Sequence, residues 1–197
     1  DVERGFLRMA INLNKSISAM LARWAVIQGI EMLGGNGAIE TFSVLPRLLR
    51  DAIVFENWEG THNTLYMQCL RDMAKYQVHE HFFAHLSEML DDASEGPDED
   101  YVAQTRERME GLQERLTGLP REPGQASLLF RPLARDLTEL FYATTRLWER
   151  AQLAERGEDL TDSDQASLAH YVETMAGGER GHDTDYIARL RTSIDLD

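Results

Sequence analysis

The chain has 197 residues, of which 43% are hydrophobic and 27% charged, with a formal net charge of −14; this balance suits a folded globular protein and excludes the low-hydrophobicity composition of disordered chains. No apolar run approaches the roughly 20 residues needed to cross a bilayer, and the N-terminus lacks a basic-then-apolar secretory pattern, which predicts a cytoplasmic protein with no membrane span. The charge is uneven: residues 1–90 carry 8 basic and 10 acidic side chains, residues 91–197 carry 12 and 24, so the second half is poorly suited to a polyanion such as nucleic acid, whose phosphates are met by Lys and Arg.

Phe6, Met9, Leu13, Ile17, Met20, Trp24 and Ile27 stand three or four apart and predict one helix over residues 4–33, stopped by Gly34 and Gly35. The chain opens inside this pattern with no initiator Met, so it is read as a fragment whose natural protein extends further toward the N-terminus. A short helix is expected around Ser43–Ile53, with Pro46 tolerated in its first turn. After a polar segment, Leu65, Cys69, Met73, Tyr76, Phe83, Leu86 and Leu90 predict a helical stripe running to about residue 90. Residues 91–97 open an acidic, Gly/Pro-containing stretch that reads as a linker.

Beyond it, Val102, Thr105, Met109, Leu112, Leu116 and Leu119 form the seam of a packed helix ended by Gly118 and Pro120. A longer helix follows, with Leu129, Leu133, Leu137, Leu140, Leu147, Ala151 and Ala154 on one face, Pro132 as an early-turn residue or a kink, and Gly157 as its stop. Thr161 or Ser163 caps a helix through about Met175, ended by Gly177 and Gly178, and Tyr186–Arg191 adds a last turn. No period-two alternation and no internal repeat is present. The expectation is an all-α protein with two helical units, 1–90 and 98–197.

Two glycine-containing elements stand close together. Gly34-Gly35-Asn36-Gly37 ends the first helix, and Trp58-Glu59-Gly60-Thr61 opens the third. Each has a local explanation: glycine accepts positive φ at a helix C-cap, and an acid ahead of a Thr N-cap is favoured by the helix dipole. Their order and spacing carry more. Gly34-Gly35-Asn36-Gly37, then Pro46-Arg47-Leu48-Leu49-Arg50-Asp51, then Trp58-Glu59-Gly60-Thr61-His62-Asn63 resembles the C-terminal signature of the acyl-CoA dehydrogenases. The Leu45-to-Asp51 run and the Trp before the Glu look closest to the AidB-like branch and its relatives with a helical C-terminal extension.

The resemblance covers residues 4–90 by motif and 97–197 only by architecture. It implies that residues 1–90 are the later part of the family's C-terminal helical bundle. It further implies that Glu59 is the base removing the α-proton of an acyl-CoA thioester while a hydride passes from the β-carbon to FAD. Gly34, Gly35 and Gly37 would approach the FAD of a neighbouring subunit, with Thr61 and Asn63 as polar residues near the flavin. An apolar wall raises the proton affinity of a carboxylate that works as a base, and Trp58 is placed to supply one. The implied partners are an acyl-CoA substrate, an electron-transfer flavoprotein or similar acceptor, and further copies of the chain in a dimer or tetramer. The family's middle β-domain, which walls the flavin ring, is missing from the sequence, so FAD and turnover are expected of the full-length parent and not of this segment.

Two departures bear on the resemblance. Glu31 stands where many members have a Gln touching the flavin, and Ala38 replaces an aromatic that often follows the glycine turn. A nucleic-acid-protecting role of the AidB-like kind is the alternative function, which the acidic second half argues against; a membrane module would need a helix with a basic polar face, and none is present. Elsewhere, His81, His85 and Glu88 share a helical face but lack a confirming metal motif, so no metal is expected. Cys69, the only cysteine, excludes an intrachain disulfide and reads as a small core residue. Trp24 and Trp148 are expected to pack in the core. Arg47 and Arg50 either steer a CoA or FAD phosphate or pair with Glu40 or Asp51.

Overall fold

In the computed structural model, which describes residues 2–175 and 191–193, the described chain is helical and contains no strand. Helix α1 (Val2–Met32) is followed by a 3-10 turn over Gly34–Ala38. Then come α2 (Leu45–Asn57), α3 (His62–Tyr76), α4 (Val78–Ala93), α5 (Glu99–Thr117), α6 (Pro123–Glu155) and α7 (Asp162–Met175). The all-α expectation is met. The predicted stop at Gly177 and Gly178 lies outside the described residues, as does the last turn proposed over Tyr186–Arg191 apart from Arg191, which is helical with residues 192 and 193.

Helix α1 buries only its first half, through Phe6, Met9, Leu13 and Ile17, which pack against α4 and α6. One apolar cluster joins Phe6, Met9 and Leu13 to Phe82, Leu86 and Leu90 of α4, Leu112 and Leu116 of α5, and Phe130, Leu137, Leu140 and Leu147 of α6. Helix α6 therefore lies against both α5 and the helices of residues 1–90, and Tyr142 donates a hydrogen bond to Asn14 Oδ1 across that contact.

Several details differ from the sequence expectation, each for a local reason. The stripe from Leu65 to Leu90 is two helices, because Gln77 takes up a left-handed backbone at φ +53 between α3 and α4. Helix α2 runs past Ile53 to Asn57, absorbing Phe55 and Glu56; the Trp58 N–H closes its last turn on the Val54 carbonyl at 2.8 Å. Residues 91–97 form a tight turn that includes the end of α4. A Cβ on Gly96 would stand 2.8 Å from that of Ala151, so the turn is pressed onto α6. Pro132 falls at the tenth position of the 33-residue α6, well beyond an early turn, with Leu128 on the preceding turn 78% exposed. Water can then meet the carbonyl that proline leaves unpaired. Trp24 is 58% exposed and not a core residue. Leu129 and Ala154, assigned to the buried face of α6, are exposed.

The turn before α5 is fixed by charge. Arg150 donates to both carboxylate oxygens of Asp98, from Nε at 2.7 Å and from a terminal nitrogen at 3.2 Å, and also to Gln165 of α7. With side chains 1% and 4% exposed, this forked pair ties the start of α5 to α6 and α7. Thr161 caps α7 reciprocally: its hydroxyl accepts from the Asp164 N–H at 3.1 Å while its own N–H donates to Asp164 Oδ2 at 3.3 Å.

Candidate functional site

Helix α2 runs back along α1, so the two glycine-bearing elements sit at its opposite ends, about 20 Å apart for a 13-residue helix. Gly34, Gly35 and Gly37 stand at the end where α2 begins; Glu59, Thr61 and Asn63 stand at the end where it finishes. Within one chain the structure brings the second group together and not the first with it.

The sequence after α2 makes an abrupt turn. Trp58 is extended, Glu59 is left-handed at φ +56 and Gly60 follows at φ +117. An L-residue in the left-handed region carries about 1–2 kcal/mol of strain, and Glu is not one of the residues that tolerate it well. No contact of the Glu59 side chain accounts for this strain, since the residue is exposed and its carboxylate makes no hydrogen bond or ion pair among the described residues. It lines an open cleft of about 470 Å³ with Phe55, Trp58 and the α1 residues Lys15, Ser18, Ala19 and Ala22. Phe55 and Trp58 are 61% and 59% exposed, and the small α1 residues leave the facing wall low. The arrangement presents one free carboxylate to an apolar slot.

The turn is held from α1. Lys15 Nζ donates to the Gly60 carbonyl at 2.6 Å and to the Glu56 carbonyl at 3.1 Å, while Arg23 Nε bonds Glu56 Oε1 at 2.8 Å. Sequence reasoning missed both cations. The signal was faint: Lys15 and Arg23 stand eight residues apart on a helix with other polar and charged residues, and their partner lies 41 or 33 residues away.

Thr61 occupies the N-cap position of α3 as expected, but its hydroxyl meets that of Thr64 at 3.1 Å and makes no bond to the helix backbone. Thr61 and Asn63 line a second, smaller cavity of about 180 Å³ with Glu56, Asn57, His62 and Arg131. His62 Nε2 is buried with no hydrogen-bond partner. Burial holds its imidazole below the ordinary value; Glu56 opposes the shift, and Lys15, Arg131 and Arg23 add to it.

At the other end of α2, Gly34 sits at φ +58, and a Cβ on Gly34 or Gly35 would meet nothing within 4 Å, so the outer face of the turn is open to a bound group. Gly37 faces inward: a Cβ there would stand 2.5 Å from the Ile30 carbonyl oxygen, which no side chain allows. Ser43 links this turn to α2, donating to the Gly37 carbonyl at 3.2 Å and accepting from the Leu45 N–H at 3.2 Å. The turn at one end of α2 therefore leaves its backbone open, while the cavity at the other end is lined mostly by polar side chains.

Residues 1–74 match the family described as acyl-CoA dehydrogenase, C-terminal domain. The chain is 44% identical over 71 residues to a Caenorhabditis elegans protein named acyl-CoA dehydrogenase family member 11, covering 36% of this chain and 11% of that protein. The chain thus spans about a tenth of the length of the curated relative it matches. No solved structure matches. The acyl-CoA dehydrogenase match ends within α3, and the elements from α4 onward lie outside it.

The remaining sequence candidates resolve into packing and surface pairing. Arg50 pairs with Glu40, and Glu31 accepts from Gln28 at 3.3 Å. His81 and His85 of α4 are packed against the first turns of α1: a Cβ on Gly5 would stand 2.4 Å from the His81 ring, and the His85 ring centroid lies 4.1 Å from that of Phe6. No group of three or more His, Cys, Asp or Glu suited to a metal ion occurs among the described residues. Cys69 is 1% exposed, and burial, aided by Asp72, pushes its thiol up to about 12. Trp148 is half-buried and donates to Asp92 at 3.2 Å. No helix of the described residues is long and apolar enough to cross a membrane.

Proposed function

We propose that this chain is the C-terminal segment of an FAD-dependent acyl-CoA dehydrogenase in which Glu59 is the catalytic base. The observation that carries the reading is an unpaired carboxylate, on a residue with a strained backbone, at the mouth of an apolar slot; strained residues cluster at active sites, and this side chain does nothing for the fold. Glu59 would take the α-proton of an acyl-CoA thioester whose acyl chain lies against Phe55, Trp58, Ala19 and Ala22. Acyl-CoA bound along this slot would displace water from beside the carboxylate and the thioester. A bound FAD supplies the two-electron acceptor for the hydride leaving the β-carbon. Gly34 and Gly35 would allow close approach of a neighbouring subunit's FAD, Gly37 would keep that turn closed on Ile30, and Thr61 and Asn63 would offer polar groups beside the flavin.

Exposed apolar side chains support the same reading. Trp24 on the second half of α1, Phe42 in the turn before α2 and Val54 on α2 are exposed apolar side chains outside the slot, the kind of surface that further copies of the chain would cover in a dimer or tetramer. Reoxidation would fall to an electron-transfer flavoprotein or similar acceptor. The test is anaerobic flavin reduction by a panel of acyl-CoAs in the flavin-loaded protein that carries this segment, compared with Glu59→Gln. Loss of about 100-fold or more in rate is expected; a variant as fast as the parent overturns the assignment.

A further inference from the structure

We propose that Lys15 is the positioning residue for Glu59, clamping the turn that holds the carboxylate in the cleft; this rests on the reading of Glu59 as the base. The Glu56 carbonyl lies in the last turn of α2 and has no helical partner, and the Gly60 carbonyl lies beyond Glu59. One ammonium bonds both, at 3.1 and 2.6 Å, and so fixes the chain on either side of the strained residue. These are charge-assisted bonds at the negative end of the α2 dipole, and two of them outweigh the strain of one left-handed non-glycine residue. A cap of α2 alone would need only the Glu56 carbonyl. The reach to Gly60 makes the clamp span Glu59, and the Arg23 bond to the Glu56 side chain steadies its near end. The lysine stem also forms part of the cleft wall, so the group that shapes the turn faces the same slot as the carboxylate it presents.

The experiment has a backbone arm and a kinetic arm. In the first, the carbon chemical shifts of Glu59 in this chain, which report φ and ψ, are measured for the parent, Lys15→Met and Lys15→Arg. The Met variant is expected to lose the left-handed signature and the Arg variant, which keeps N–H donors and charge, to retain it. In the second, limiting flavin reduction and acyl-CoA affinity are measured in the flavin-loaded protein carrying the segment. Lys15→Met is expected to lower the limiting rate about 10- to 100-fold, the scale of a displaced reacting group, with flavin content unchanged and Kd within about threefold. Should the Met variant not fold, Lys15→Gln is read in its place. A Glu59 signature untouched by Lys15→Met overturns the clamp, as does an Arg variant indistinguishable from Met, or a loss shared equally between rate and affinity. Full activity of Glu59→Gln overturns the base assignment, while the backbone arm continues to report the clamp.

Discussion

Replacing Glu59 with glycine should make the protein more stable. The left-handed conformation at φ +56 costs a non-glycine residue about 1–2 kcal/mol, and glycine removes that strain. Against it stands the extra backbone freedom glycine loses on folding, about 0.5–1 kcal/mol. Little else changes: the side chain is exposed and makes no hydrogen bond or ion pair among the described residues. The balance is a gain of about 0–1.5 kcal/mol, or up to about 6 °C in Tm for a chain of this length. Urea unfolding monitored by circular dichroism measures it, with an unchanged slope showing that the two unfolding reactions are comparable. A loss of more than about 0.5 kcal/mol would refute the reasoning, because it would mean that the Glu59 side chain contributes a contact to the fold and its strain has an ordinary structural cause.

Arg150→Met should destabilise by about 3–5 kcal/mol, since it leaves the Asp98 carboxylate buried and uncompensated; the double variant with Asp98→Asn should lose less than Arg150→Met alone in the same urea assay. Cys69 should resist iodoacetamide in the folded protein and react fully in urea, because its thiol is buried and held protonated; rapid labelling without denaturant would contradict the packing of α3. Stability should also fall on acidification. Burial holds both His62 and His79 below the ordinary 6.5, so the unfolded chain binds more protons in that range, and stability present above about pH 6.5 is lost as pH drops through the lower folded values. The urea midpoint at about pH 7.5 and about pH 5.5 reports this, and His62→Gln with His79→Gln should flatten the difference.

Most of the helices were legible because their buried faces recur with helical spacing and their stops are glycines in the positions glycine favours, such as Gly34 at φ +58 and Gly157 at φ +73. The break at Gln77 was not, since a polar residue rarely takes the left-handed conformation and nothing in its neighbours marks it. Trp24 misled for a different reason: helical spacing identifies an apolar face but not what covers it, and the second half of α1 turns that face outward. For the site, the motif order singled out Glu59, Thr61 and Asn63 together, yet the clamp from Lys15 and Arg23 depends on contacts more than 30 residues apart, which a single sequence does not encode visibly. The paired Asp98 and Arg150, 52 positions apart, were hidden in the same way, with Asp98 in an acidic stretch whose composition resembled a solvated linker.

The most direct measurement of the central claim isolates proton removal from electron transfer. A 3-thia-acyl-CoA keeps its α-hydrogens but has sulfur in place of the β-carbon, so no hydride can leave; incubation in deuterium oxide with the flavin-loaded protein that carries this segment then reports the base alone. Deuterium should enter the α-position rapidly with Glu59 in place and at least about 100-fold more slowly with Glu59→Gln. Exchange at the same rate in both would show that the proton is taken by another group and that the carboxylate at the mouth of the cleft is not the base.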